Sequence, residues 1–254
     1  MLLVTLPLWF FLIAALYATV GFGGGSSYTA LLALTATESG TEIWRIPILA
    51  LLCNITVVAM GSWLALRRRA FAWRQAMPFI AGSVPMAFIG GLLPLRDDVY
   101  LLLLAVSLLL AGARLLWLQD VAGRRALSPS PKLALGIGGG LGLLSGMVGI
   151  GGGIFLAPVL HYARWASAQA IAALCSFFIL VNSLAGLAGQ MLKNQAADLM
   201  ALSATAAPLM LAVALGGWLG SRLLLEKLSG DRLRQITALL IIFVALRLLG
   251  QLYF

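Results

Sequence analysis

The chain has 254 residues, 62% of them apolar and only 10% charged, with a mean hydropathy of +1.03. A soluble domain carries roughly 25% charged and 45–50% apolar residues, so the composition excludes a cytosolic enzyme, a disordered tail and a secreted scaffold. The net charge of +9 reads as loop charge that fixes orientation in a membrane, and no nucleic-acid partner is expected.

Leu2–Val20 is apolar and breaks at Gly21-Phe22-Gly23-Gly24-Gly25; Ser26–Ala36 follows as a short apolar piece. The stretch Met1–Ala18 lacks the positively charged start of a signal peptide, so it is expected to remain in the mature chain. Three spans come next: Ile46–Leu66, ending at Arg67-Arg68-Arg69, then Gln75–Leu93 with Pro78 and Pro85, then Val99–Leu118. Gln119–Lys132 is the longest polar stretch, with Arg124, Arg125, Pro129 and Pro131. The pattern then restarts. Leu133–Val148 breaks at Gly149-Ile150-Gly151-Gly152-Gly153, Ile154–Leu160 is the short piece, and Ser167–Gln190, Leu199–Arg222 and Leu233–Leu252 are the spans.

The restart is an internal repeat, which decides architecture before anything else. Val20–Gly25 matches Val148–Gly153, and Asn54 and Asn182 follow their glycine runs at the same distance. Gly90-Gly91 pairs with Gly216-Gly217, and Arg114-Leu115-Leu116 with Arg247-Leu248-Leu249. The expected organisation is repeat 1 over residues 1–118, a cytoplasmic linker over 119–132, and repeat 2 over 133–254.

Length and charge set the topology. As one helix Leu2–Ala36 would be about 52 Å long, against a hydrocarbon core about 30 Å thick. If every element crossed once, giving eight simple crossings in two parallel repeats, seven basic residues would lie outside: Arg45, Arg96, Arg164, Arg222, Lys227, Arg232 and Arg234. If both glycine-broken elements are re-entrant hairpins, only Arg45, Arg96, Lys193 and Arg247 of the 17 Lys and Arg stay outside. The positive-inside rule prefers the hairpins. Each half is then a hairpin plus three transmembrane helices. Three is odd, so the halves are inverted with respect to each other, as in many secondary transporters. The expected fold is an all-α polytopic membrane protein of two inverted repeats.

Irregular backbone at membrane depth survives only inside protein or beside a wet cavity. The two breaks, Gly23-Gly24-Gly25 and Gly151-Gly152-Gly153, are therefore the candidate site. Each is followed by a short helix whose first turn, near Ser26 and Ile154, offers unpaired N–H groups and a positive dipole end. Two such ends hold an anion without a buried Lys or Arg, and no span has a basic residue in its middle. Ser26, Ser27 and Thr29 can donate to an oxyanion, and Ser26 equally suits a helix cap. A mid-span Asn is costly unless paired, so Asn54 and Asn182 either touch a ligand or brace the opened backbone. Ser145, Ser176, Ser183 and Gln190 are weaker candidates. The GxxxG runs Gly136/Gly140, Gly138/Gly142 and Gly142/Gly146 read as helix-packing faces. Cys53 and Cys175 read as small buried residues. His161, the single histidine, reads as an interfacial anchor or cap. Carboxylate pairs, metal-ligand sets and nucleophile triads are missing from the sequence, so neither an enzyme nor a cofactor or metal is expected. An anion channel and a non-transporting membrane scaffold or enzyme subunit stay open as alternatives.

At the same two motifs, and most clearly over Gly149–Pro158, the chain resembles the TauE/SafE family, also called the sulfite exporter or toluenesulfonate uptake permease family. The resemblance covers nearly the whole chain. It implies a multi-pass transporter of the bacterial inner membrane that moves sulfite or a small organosulfonate, with coupling to a proton or ion and homo-oligomerisation left open. Ser26-Ser27 stands where the second half has Ile154-Phe155, so the first break is the more polar side of any site.

Overall fold

A computed structural model of the chain describes residues 2–18, 22–39, 42–117, 130–163, 165–194 and 199–223, with positions 239, 242, 245, 246, 249 and 250. Gly21, most of the 119–132 linker, Arg164, Lys227, Arg232, Arg234, Arg247 and most of the expected span 233–252 lie outside the described residues.

Among the described residues the chain forms nine helices and no strand: α1 (Leu2–Ala18), α2 (Gly25–Ser39), α3 (Arg45–Arg67), α4 (Trp73–Leu92), α5 (Asp97–Trp117), α6 (Pro131–Val148), α7 (Gly153–Tyr162), α8 (Ala168–Lys193) and α9 (Leu199–Leu223). Five segments among the described residues are long and apolar enough to cross a bilayer: Arg45–Arg67, Trp73–Leu92, Pro131–Val148, Gln169–Lys193 and Leu202–Gly220. The protein is an all-helical polytopic membrane protein. Its exterior is apolar, with Leu8, Met60, Leu110, Leu192 and Leu211 exposed, while Ser26, Asn54, Ser83, Ser145, Asn182 and Ser183 are buried. Lipid as the outer solvent explains this inversion, since polar residues in a membrane turn toward the bundle interior.

Local chemistry sets the helix ends. Ser130 and Ser167 cap α6 and α8, accepting from the N–H groups of Leu133 and Ala170 at 3.3 Å, and Pro131 takes the first-turn position of α6 that needs no N–H. Asp97 and Asp98 open α5, where negative charge complements the helix dipole. Gly149 closes α6 with φ +82°.

Close packing pairs the elements crosswise. Gly138, Gly142 and Gly146 of α6 lie directly on the backbone carbonyls of Phe79, Ser83 and Ala87 of α4, and Gly216 and Gly220 of α9 lie on those of Phe11 and Ala15 of α1. Both pairs advance in step, so each is parallel. The expected packing role holds for the Gly138/Gly142/Gly146 stripe. Gly136 and Gly140 have nothing within 4 Å beyond their own helix among the described residues, because a shift of two residues turns about 200° around the helix. The paired glycines split their duties alike. Gly90 meets Leu143 of α6 and Gly91 meets Gly186 of α8, while Gly216 meets α1 and Gly217 faces Val57 of α3.

Helix directions follow from these contacts. Leu51 lies beside Gly186 and Gly61 beside Ser176, so α3 and α8 run antiparallel. The short 68–72 turn makes α4 antiparallel to α3, and α6 is parallel to α4. Consequently α6 and α8 point the same way, and the chain doubles back through α7 between them.

Candidate site at the paired glycine breaks

Each break is built so that a glycine is required at its last turn before the short helix. Gly24 has φ +82° and Gly152 has φ +79°, a region only glycine enters without strain. A side chain on Gly24 would meet Ile13 and Tyr28 at 3.0 Å, and one on Gly152 would meet Phe178 at 3.0 Å. Gly24 and Gly152 accept the first helical bonds, from Ser27 and Tyr28 and from Phe155 and Leu156 respectively. The helices thus start at Gly25 and Gly153, and Gly24, not Ser26, takes the cap position of α2. The N–H groups of Gly25, Ser26, Gly153 and Ile154 come ahead of those bonds and belong to the set that a helix's own ladder does not use.

The two breaks meet, and Asn54 stands between them. Gly25 approaches the carbonyl of Ile150 directly, since a side chain placed there would lie 2.5 Å from that oxygen. Asn54, fully buried near the middle of α3, donates from Nδ2 to the same Ile150 carbonyl at 3.2 Å. Its Oδ1 lies against Gly23 and Gly25 and has no hydrogen-bond partner. Gly151 comes up on the other side of the same amide, next to Asn54 Nδ2 and the Ser183 hydroxyl.

Asn182 is placed differently. It is equally buried, but its Nδ2 donates at 2.8 Å to Phe178 in its own helix. The residues of α8 that reach the second break are Ser183 at Gly151, Ile179 at Gly151 and Gly153, Phe178 at Gly152 and the Cys175 carbonyl at Gly153. Ser26 and Ile154 are buried just inside their helices. The Ser27 hydroxyl shares a 2.9 Å bond with Tyr17, which ties α2 back to α1, and Thr29 bonds the carbonyls of Gly25 and Ser26.

Several buried polar atoms around the breaks have no partner among the described residues: Tyr28 OH, Ser145 Oγ, Ser183 Oγ and the Oδ1 atoms of Asn54 and Asn182. Such groups are rare and each needs a reason. Tyr28 was not anticipated from sequence. Its ring is buried and stacked on Phe10 with centroids 4.6 Å apart, and its hydroxyl points at Gly24. The available signal was a tyrosine one helical turn past a glycine break inside an apolar run. The first half also braces the second break at its base, where Tyr100 of α5 donates to Val148 at 3.2 Å. Cys53 and Cys175 are free and buried, and His161 is exposed in the last turn of α7. The stretches that surround the breaks, residues 2–37, 46–66, 133–160 and 165–192, contain no charged side chain. The polar groups at this place are N–H groups, hydroxyls and amides, all uncharged.

The description "Sulfite exporter TauE/SafE" matches residues 6–248, which takes in both breaks and every element around them. The chain belongs to the TauE/SafE family. Alongside it stands the probable membrane transporter protein y4hK of Sinorhizobium fredii, 33% identical over 246 residues that cover 94% of this chain and 95% of the relative. No solved structure matches. Membership of TauE/SafE, together with the apolar spans, makes this a multi-pass bacterial membrane protein of a transporter family.

Proposed function

We propose that this TauE/SafE protein is a secondary transporter of the bacterial inner membrane that carries sulfite or a small organosulfonate, with the anion held where the two breaks meet. The observation that carries the reading is Asn54, which touches both breaks at once and has an unpartnered oxygen there. The family name supports the sulfur oxyanion. The uncharged surroundings support a substrate that is released again, because a dipole-based site binds anions without a fixed buried counter-charge.

The proposed architecture is two inverted repeats, 1–118 and 133–254, joined by a cytoplasmic linker over 119–132. The crosswise pairs α1 with α9 and α6 with α4 support it, as do the antiparallel α3 and α8 and the return through α7. Gly23, Gly24, Gly25, Ser26, Gly151, Gly152, Gly153 and Ile154 supply the main-chain surface of the site in this reading. Asn54, with Tyr28 and Ser183, supplies its side chains. Ser27 and Asn182 serve the scaffold, given their bonds to Tyr17 and Phe178.

The test is uptake by proteoliposomes of sulfite, short alkanesulfonates, sulfate and chloride under imposed proton and sodium gradients. Saturable, gradient-driven movement of sulfite or a sulfonate is expected. Non-saturating flux of chloride and sulfite alike would replace the transporter with a channel, and no flux of any anion would remove transport altogether.

A further inference from the structure

The orientation of the Asn54 amide is fixed by its neighbour. A carbonyl accepts only, so the amide nitrogen is the atom that meets Ile150, beside Gly25, and the amide oxygen is the one turned to Gly23. Oδ1 is left as a fully buried acceptor without a donor, against Gly23 and Gly25 at the opening of α2. A deprotonated oxyanion oxygen brought to α2 would satisfy the N–H groups of Gly25 and Ser26 but would face Oδ1 acceptor to acceptor. An anion that carries its own proton satisfies both: its bare oxygens receive the N–H groups and its O–H donates to Oδ1.

We propose that Asn54 selects anions that bear a hydrogen-bond donor, so that hydrogensulfite is taken in preference to the sulfite dianion. This rests on the reading of the breaks as the anion site. Leaving a buried acceptor unpaired carries a penalty that corresponds to discrimination of about 5- to 150-fold. The same rule extends to sulfonates: one with a hydroxyl near its sulfonate fits better than its alkyl counterpart.

Methanesulfonate is the control for the protein's own titration, because His161 stands exposed at the end of α7 and histidine ordinarily changes charge between about pH 5 and 8. Tyr17, Tyr28, Cys53, Tyr100 and Cys175 are the titratable side chains in the stretches around the breaks, and toward the ends of the same helices lie Glu38, Arg45, Arg67, Asp97, Asp98, Arg114, Lys132, His161, Tyr162 and Lys193. The surrounding stretches have no Asp, Glu, His, Lys or Arg. Sulfite itself changes protonation near neutrality.

The experiment measures binding to the full-length protein in nanodiscs at pH 6 and pH 8. The probes are sulfite, methanesulfonate, ethanesulfonate and 2-hydroxyethanesulfonate. Sulfite affinity, expressed on total sulfite, is expected to weaken at pH 8 in proportion to the loss of hydrogensulfite. Methanesulfonate, which holds no proton at either pH, should not change. The hydroxyethyl compound should bind at least about 5-fold tighter than ethanesulfonate. Equal or tighter sulfite binding at pH 8 would overturn the proposal, as would an equal pH shift for methanesulfonate. Absence of binding by all four probes would sink the anion-site reading itself, and the selectivity with it. In Asn54→Ala the sulfite pH preference should collapse. If that variant does not fold, the wild-type comparison of ligands alone decides.

Discussion

The Asn54 side chain and the Ile150 carbonyl, 96 positions apart, are joined by a buried 3.2 Å hydrogen bond that links the middle of α3 to the second glycine break. The bond makes the geometry of one half depend on the other at the point where both depart from helix. Asn182, the counterpart of Asn54 in the sequence repeat, bonds only within α8.

The two asparagines should therefore respond differently to truncation. A hydrogen bond between membrane helices is worth only about 0.6 kcal/mol on average, but leaving the Ile150 carbonyl unpaired costs about 1–3 kcal/mol. Asn54→Ala is expected to lower the melting temperature of purified protein clearly, and Asn182→Ala to lower it less. Equal losses would show that the bridge to Ile150 carries no special weight.

Alanine at the break glycines should be harmful for two separate reasons. Gly24→Ala and Gly152→Ala each place a side chain at positive φ, costing about 1–2 kcal/mol, and push it to 3.0 Å from Tyr28 or Phe178. Gly140→Ala is the control: its surroundings are open, and helix propensity favours alanine there by up to about 1 kcal/mol. Thermal unfolding should rank Gly140→Ala at or above wild type and both break variants well below it.

Tyr28→Phe separates binding from stability. The hydroxyl is buried without a partner, so its removal is expected to leave the melting temperature unchanged or raised. If it donates to the anion, affinity should fall by about 10- to 150-fold, the equivalent of a charge-assisted bond of about 1.5–3 kcal/mol. Calorimetric or fluorescence titration with sulfite gives the answer. Unchanged affinity would exclude Tyr28 from the site.

Much of this was legible in the sequence. The glycine runs marked both breaks to within a residue or two, because consecutive glycines inside apolar runs are incompatible with an uninterrupted helix. The burial of Asn54 and Asn182 followed from their apolar surroundings. What could not be read was register between distant elements. Gly138 and Gly136 look equivalent as members of GxxxG runs, yet only the first meets another helix. Asn54 and Asn182 match in spacing, yet only the first reaches across to the opposite break. Those outcomes depend on how α3, α6 and α8 rotate against one another, which no local pattern encodes. Tyr28 escaped for a related reason: its hydroxyl matters only because Gly24 turns beneath it.

Surface labelling checks the doubled-back path. With α3 and α8 antiparallel, residues 165–167, just ahead of α8, lie at the same end of the bundle as the 68–72 turn. Phe71 and Trp73 pack on Phe177 there, with centroids 6.1 and 5.5 Å away. Cysteine introduced at Ala70 or Ala166 should escape an impermeant reagent in intact cells, whereas cysteine at Pro94 should react. Labelling at Ala166 together with protection at Ala70 would put the two turns on opposite faces and restore a simple crossing.

The crosswise pairing also imposes an order on biosynthesis. The backbone surface that receives α1 is the Gly216/Gly220 face of α9, which leaves the ribosome about 200 residues later. At about 5–20 residues per second, α1 waits roughly 10–40 s for the neighbour it is shaped to fit. During that interval its carbonyl-lined contact face is met by lipid or by the insertion machinery. The first of the nine described helices is thus among the last to reach its native place, and defects at Gly216 or Gly220 should appear first as degradation of newly made chains.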